Sequence, residues 1–308
     1  MSAPSPRKDP IVLVFDSGIG GLSVQGEIAA RLPEAETVFV ADDAGFPYGA
    51  WDEAALTARV AALMIRLVAA ITPDIVVIAC NTASTLVLPT LRAALAVPVV
   101  GTVPAIKPAA ERTKSGLVSV LATPGTVARD YTRALIEKHA HGVEVTLVGS
   151  RRLAALAEAR LRGLGIDEAA IAEEIAPCFV EHDRRRTDAV VLACTHYPFL
   201  ADVFARLAPW PVTWIDPSPA IARRTVEVLG LAPASPAVAD PIAEGLRPGR
   251  AIFTSGHRPE PALEMALARR HLAWDEGQTL GGAFAAAVAH DPLRTERAFA
   301  LAPGGRLL

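Results

Sequence analysis

The chain has 308 residues, 51% hydrophobic and 20% charged, which suits two α/β units or one large one and excludes a chain disordered throughout. Its 30 Lys and Arg against 33 Asp and Glu leave a formal charge of −3, so no overall basic field marks a nucleic-acid or anionic-membrane binder. Three cysteines, Cys80, Cys178 and Cys194, lack CxxC or paired spacing; a disulfide scaffold is excluded and a reducing cytoplasm is the expected compartment.

In chain order, residues 1–10 (MSAPSPRKDP) hold three prolines and no apolar core, and are expected to form a flexible leader rather than a signal peptide. Buried strands are then predicted at 11–15, 37–40, 75–79 and 97–100, with helices at 22–32, 52–70 and 83–95, the last bent or interrupted at Pro89. The most apolar stretch, 60–71, is broken by Arg66 and stopped by Pro73-Asp74, short of the roughly 18–20 residues of a membrane span. Residues 104–108 read as a crossing. The rhythm resumes with strands at 117–121, 143–148 and 189–193 and helices at 127–139, 151–162, 167–180 and 198–207. A strand at 212–216, a helix at 220–229, a Pro-rich excursion at 232–248 and a strand and helix at 251–257 and 261–271 follow. Continuous apolar runs separated by helices indicate parallel sheets covered on both faces.

The chain also echoes itself. Asp74-Ile-Val-Val-Ile-Ala-Cys80-Asn81-Thr82 returns 114 residues later as Asp188-Ala-Val-Val-Leu-Ala-Cys194-Thr195-His196, and Val12–Gly18 is more faintly matched by Ser119–Gly125. The expected fold is therefore α/β, with two pseudo-symmetric, doubly wound parallel-sheet domains facing one cleft. The first would comprise 11–104 plus about 212–272 and the second 105–211, leaving 273–308 as a C-terminal tail.

Ligands of open α/β sheets bind beyond the carboxyl ends of the strands. Asp16-Ser17, Cys80-Asn81-Thr82, Thr123–Thr126 and Cys194-Thr195-His196 all fall there. A lone cysteine at such a position is more often core packing, and Cys178, inside an apolar run, fits that description. Two cysteines at matched positions of a repeat point to chemistry. Asp16-Ser-Gly-Ile-Gly-Gly21 lacks G-x-G-x-x-G spacing, because Ser23 stands at the third glycine position, and has no Walker lysine. Its glycines suit a tight turn whose N–H groups can bind a carboxylate. The loop Asp42–Gly49 could lie over the site. Thiols on opposite faces of an acidic C–H suit stereochemical inversion: a thiolate removes the proton and a thiol on the other face returns one. A cysteine near pKa 8.5 needs help to do this at neutral pH; Asp16 on one side and His196 on the other are candidates.

The motifs FDSGIGGLSV (15–24), PYG (47–49), VVIACNTAST (76–85), VPAIKPAA (103–110), ATPGT (122–126) and VVLACTHYPFL (190–200) resemble those of the glutamate racemases of the aspartate/glutamate racemase superfamily, in proteobacterial form. The resemblance implies a cofactor-independent, metal-free, two-base interconversion of L- and D-glutamate that supplies peptidoglycan. Cys80 and Cys194 would exchange the proton, with Asp16, His196 and Glu158 assisting. Asp16, Ser17, Tyr48, Gly49, Asn81, Thr82, Thr126, Thr195 and His196 would bind the substrate. It further implies a cytoplasmic homodimer needing no nucleic acid or membrane, with UDP-N-acetylmuramoyl-L-alanine as a possible activator. Asp43 and Gly45 stand where the family usually has Thr and Arg, and Asp216-Pro-Ser-Pro replaces its Asp-Ser-Gly. The competing readings are aspartate or hydantoin racemisation, Cys194–His196 hydrolysis, a structural metal held by the cysteines and His196, and a glutamate-binding module without catalysis.

Overall fold

The computed structural model of the chain describes residues 9–232 and 246–276. The leader up to residue 8, most of the Pro-rich excursion and the tail beyond 276 lie outside the described residues. The first half alternates β1 (Ile11–Asp16), α1 (Leu22–Arg31), β2 (Glu36–Ala41), α2 (Glu53–Ile71), β3 (Ile75–Ile78), α3 (Asn81–Ala94) and β4 (Val99–Gly101). After α4 (Ile106–Arg112), the second half runs β5 (Leu117–Ala122), α5 (Pro124–Val127), α6 (Asp130–His139), β6 (Glu144–Gly149), α7 (Leu153–Leu161) and α8 (Glu168–Ile175). It continues with a hairpin of β7 (Glu181–His182) and β8 (Arg185–Arg186), then β9 (Ala189–Ala193), α9 (Ala201–Leu207) and β10 (Thr213–Ile215). The chain returns to the first sheet with α10 (Ser218–Leu229), β11 (Gly249–Phe253), α11 (Pro261–Ala268) and β12 (Leu272–Trp274).

One sheet is ordered β12-β11-β2-β1-β3-β4 and the other β10-β9-β5-β6, every pair within them parallel. The orders β2-β1-β3-β4 and β6-β5-β9-β10 are the same, so the sequence echo is a repeat of topology in which β1 matches β5 and β3 matches β9. Alternate residues of each strand pack on opposite faces, as the pleat requires: Val12 and Val14 face one cluster, Leu13 and Phe15 the other. The second sheet divides likewise between Leu192 and Cys194 on one face and Val191 and Ala193 on the other.

Several expected boundaries move. The one near 212 falls inside the repeat: β10 pairs with β9, Thr213 opposite Ala189, and closes the second sheet as β4 closes the first. The change of half comes after it, where Ile221, Ala222 and Val226 of α10 enter the first half's core. α4 crosses the other way, its Ile106 and Ala109 packing with Val120 and Val191. The helix predicted at 127–139 is split at Arg129, which is extended (φ −74°, ψ 136°). That predicted at 167–180 stops at Ile175 before the Ala176-Pro177-Cys178 turn, and α9 follows a short turn at Tyr197–Leu200. Residues 272–274, placed mostly in the tail, form an edge strand on β11, while α3 runs unbroken through Pro89.

The 60–71 reading also understated α2. Over Glu53–Ile71 the helix has the length and apolarity of a membrane span, with mean hydropathy 1.9. Leu56, Val60, Leu63, Leu67 and Ile71 nevertheless bury one helical face against the first sheet, the pattern of a core helix.

Candidate active site

In each sheet the chain leaves the first strand of the repeat to one side and continues on the other, which opens a crevice between β1 and β3 and between β5 and β9. Asp16 ends β1 and Cys80 follows β3; Thr123 follows β5 and Cys194 follows β9. The two crevices face each other across a cavity of about 20 Å³. Ser17, Cys80, Asn81 and Thr82 wall it from one half, Thr123, Cys194, Thr195 and His196 from the other, and Tyr48-Gly49 closes it together with Phe46 and Pro47. The two cysteines are 5% and 6% exposed.

On the Cys194 side the polar groups form a chain. His196 Nδ1 lies 3.8 Å from Cys194 Sγ, and its Nε2 lies 3.0 Å from Glu158 Oε1. Burial pushes the imidazole down, but its bonds to Cys194 and Glu158 outweigh this and hold it well above the ordinary histidine range. Burial likewise raises Glu158, yet His196, the Ile19 N–H and Arg162 leave its carboxyl below the usual value. The glycine turn is built against this pair. Ile19 N–H donates to Glu158 Oε1 at 2.9 Å, and a Cβ on Gly20 would stand 2.5 Å from His196 Nδ1. Gly20 N–H points at His196 Nε2 from 3.2 Å. That nitrogen donates to ionised Glu158 when protonated and accepts from Gly20 when the ring is neutral with its proton on Nδ1, so each state has a partner. The carboxylates bound by the turn are thus the protein's own Glu158 and Asp16.

The Cys80 side is different. Its thiol donates to Ser17 Oγ at 3.5 Å and sits at the start of α3, where helix N–H groups favour a thiolate. Burial first, and then the Asp16 charge, push it up to about 12 against the Ala83 N–H and Ser17. Asp16 does not bond Cys80: Oδ2 accepts from Gly21 N–H at 2.9 Å, and both oxygens are within 3.3 Å of the Thr195 hydroxyl. Burial raises its carboxyl to about 6, against the lowering by His196 and these donors.

Nine of the sequence-predicted residues, Ser17, Tyr48, Gly49, Asn81, Thr82, Thr195, His196 and both paired cysteines, wall the cavity. Three stand one layer behind: Asp16 behind Thr195, Glu158 behind His196, and Thr126 behind Thr82 and Thr123, whose hydroxyls lie 3.4 and 3.1 Å from its own. Asn81 has both ends of its buried amide unpartnered among the described residues, a free donor and acceptor facing the cavity. The predicted site set omitted Thr123, although its cluster was singled out, and Phe46, whose ring lies 5.5 Å from that of His196. Cys178 is fully buried among Ile171, Ile175 and Val190. No group of three or more metal-ligating side chains occurs among the described residues.

The model of the Asp/Glu/Hydantoin racemase family matches residues 23–225. The glutamate racemase of Brucella anthropi is 64% identical over 227 residues, which cover 73% of this chain and 82% of that protein. That of Rhizobium meliloti is 59% identical over 83% of this chain and 90% of its own length. Among solved structures, Escherichia coli glutamate racemase in complex with L-glutamate and the activator UDP-MurNAc-Ala aligns with a TM-score of 0.76 at 36% identity, covering 86% of this chain and 97% of that one.

Proposed function

The chain belongs to the Asp/Glu/hydantoin racemase family, and from that premise we propose that it interconverts L- and D-glutamate without a cofactor, supplying D-glutamate for peptidoglycan. The observation that carries this reading is the placing of Cys80 and Cys194 at matched strand ends on opposite walls of one cavity. One sulfur, as thiolate, takes the Cα proton; the other, as thiol, delivers its proton to the opposite face, so one C–H bond breaks and one forms.

Burial and the Asp16 charge favour Cys80 resting as the thiol; the substrate ammonium supplies the positive charge that lets it ionise in its turn. His196, oriented by Glu158 and the glycine turn, takes or returns the Cys194 proton. Asn81, Ser17, Thr82, Thr123 and Thr195 offer hydroxyl and amide groups to the carboxylates and ammonium. Three buried free thiols suit a reducing cytoplasm, and homodimerisation and activation by UDP-N-acetylmuramoyl-L-alanine belong to the same proposal; full activity without the precursor would count against the latter.

The test is racemisation followed by circular dichroism, with Cα-hydrogen exchange in heavy water, for wild type, Cys80→Ser and Cys194→Ser. Either substitution should abolish turnover. Racemisation nearly unaffected in Cys80→Ser would refute the two-base assignment, an unracemised wild-type sample would leave Cys194–His196 hydrolysis as the rival reading, and faster exchange of L-aspartate or a hydantoin than of L-glutamate would transfer the activity to those substrates.

A further inference from the structure

The inward face of α2 is apolar except at one residue. Arg59 is 4% exposed, and its Nε and Nη2 donate to the two oxygens of Asp42 at 2.6 Å each. Asp42, fully buried at the end of β2, also accepts from the Tyr48 hydroxyl and from Thr254 Oγ1 at 2.5 Å. Three separate segments thus converge on one carboxylate. Position 45 is a glycine for a local reason: a Cβ there would lie 2.7 Å from both Arg59 Nε and Asp42 Oδ2. Trp51 completes the staple, its indole N–H donating to Gly45 O at 2.8 Å and its ring lying 5.5 Å from the guanidinium.

A buried ion pair is weak evidence of a stabilising role, because well-packed apolar side chains often serve stability as well or better. What this pair determines is the position of the 43–51 turn. The Tyr48 hydroxyl is committed to Asp42, and the turn reaches the cavity with Tyr48 and Gly49. Gly49 in turn lies against Thr123 of the other half, and Glu53 at the start of α2 is ion-paired with Arg129 of that half.

We propose that Arg59 is a positioning residue for racemisation, holding the Tyr48-Gly49 wall of the substrate cavity in place through Asp42. It touches neither sulfur and acts chiefly through Asp42 on the Tyr48 hydroxyl. The inference rests on the racemase reading above, so wild-type turnover of glutamate is measured first; its absence would fail that reading and not this one.

Arg59→Lys keeps the charge and loses the two-pronged fork, whereas Tyr48→Phe keeps the ion pair and removes the hydroxyl's bond to Asp42. Each is expected to raise KM for both glutamate enantiomers about tenfold, the loss of one charge-assisted hydrogen bond, with kcat within about twofold. Because the two substitutions share the Asp42–Tyr48 step, the double variant should lose less than the sum of the two single losses. Unchanged KM values, additive effects in the double variant, or losses that only follow the folded fraction seen by circular dichroism would overturn the proposal. Should Arg59→Lys fail to fold, Asp42→Asn, which keeps the side chain's shape and lies outside the cavity wall but weakens the hold on both Arg59 and Tyr48, decides: a raised KM supports the proposal and an unchanged one removes it.

Discussion

Replacing Asp16 by Asn is expected to stabilise the fold at neutral pH while disabling the site. Burial raises this carboxyl from 3.8 to about 6, even though Gly21, Gly18 and Thr195 all donate to it and His196 lies nearby. Such a carboxyl binds its proton more tightly in the native than in the unfolded state. Its contribution to stability therefore falls as pH rises from about 4 to about 6 and is flat above that. The interval corresponds to about 3 kcal/mol for this fully buried group. Asn has the same shape: its oxygen can accept from Gly21 N–H, and its amide can donate to the Thr195 hydroxyl, which accepts as readily as it donates. Urea unfolding followed by the fluorescence of the 4 tryptophans, at intervals from pH 4 to pH 8, measures the difference. Relative to the variant, the wild type should lose up to about 3 kcal/mol between pH 4 and pH 7. Parallel pH profiles for the two proteins would refute the reasoning.

Glu158→Gln keeps an acceptor for Ile19 N–H but removes the charge opposite His196, a contact worth about 1.5–3 kcal/mol. kcat/KM should fall about ten- to a hundredfold, and the pH limb belonging to His196 should move to lower pH, since the carboxylate is one of the groups holding the imidazole up; unchanged kinetics would exclude Glu158 from the relay. Cys178→Ala should cost about 1–2 kcal/mol of stability by urea titration, as a small core truncation does, and leave kcat/KM at the wild-type value. A tenfold loss of activity would give that sulfur a role its place in the core does not suggest.

The strand ends were legible because a buried parallel strand writes itself as an unbroken apolar run, and the first polar residues after it are those the fold delivers to the cleft. The cysteine pair was legible because the repeat put the same run before both. Arg59 carried no such signal: a single arginine in an apolar helix reads as its solvent side, and only the tertiary position of Asp42 turns it inward. Three-residue β10 could be seen as a strand but not assigned to a sheet, since its edge place depends on β9 alone. The hairpin at Glu181–Arg186 turns through Asp183 and Arg184 at φ 49° and 61° without a glycine to announce it. Glu158 was ambiguous for a related reason. Its surroundings, LAALAEAR, contain too little polarity to say which face of α7 is buried, and its partners come from residues 19 and 196.

The contacts between the halves bear on how so closed a site can serve a substrate. The cavity of about 20 Å³ is near the space of a single water, so a molecule of glutamate's size fits only if the walls of the cavity move. The core on the α2 face of the first sheet holds first-half residues alone, and both cores of the second sheet draw only on residues between 105 and 215. At the cavity the halves meet through buried bonds of the glycine turn and Asp16 to Glu158, His196 and Thr195, the hydroxyls of Thr82 and Thr123, 3.0 Å apart, the Gly49–Thr123 approach and the Glu53–Arg129 pair. Water can replace such hydrogen bonds at about 1 kcal/mol each, whereas exposing a core leucine would cost about 1.5–3 kcal/mol. On the α11 side Leu161 and Phe199 of the second half pack against the first half's core, so apolar contact joins the halves there, while polar contacts line the cleft between the two cysteines.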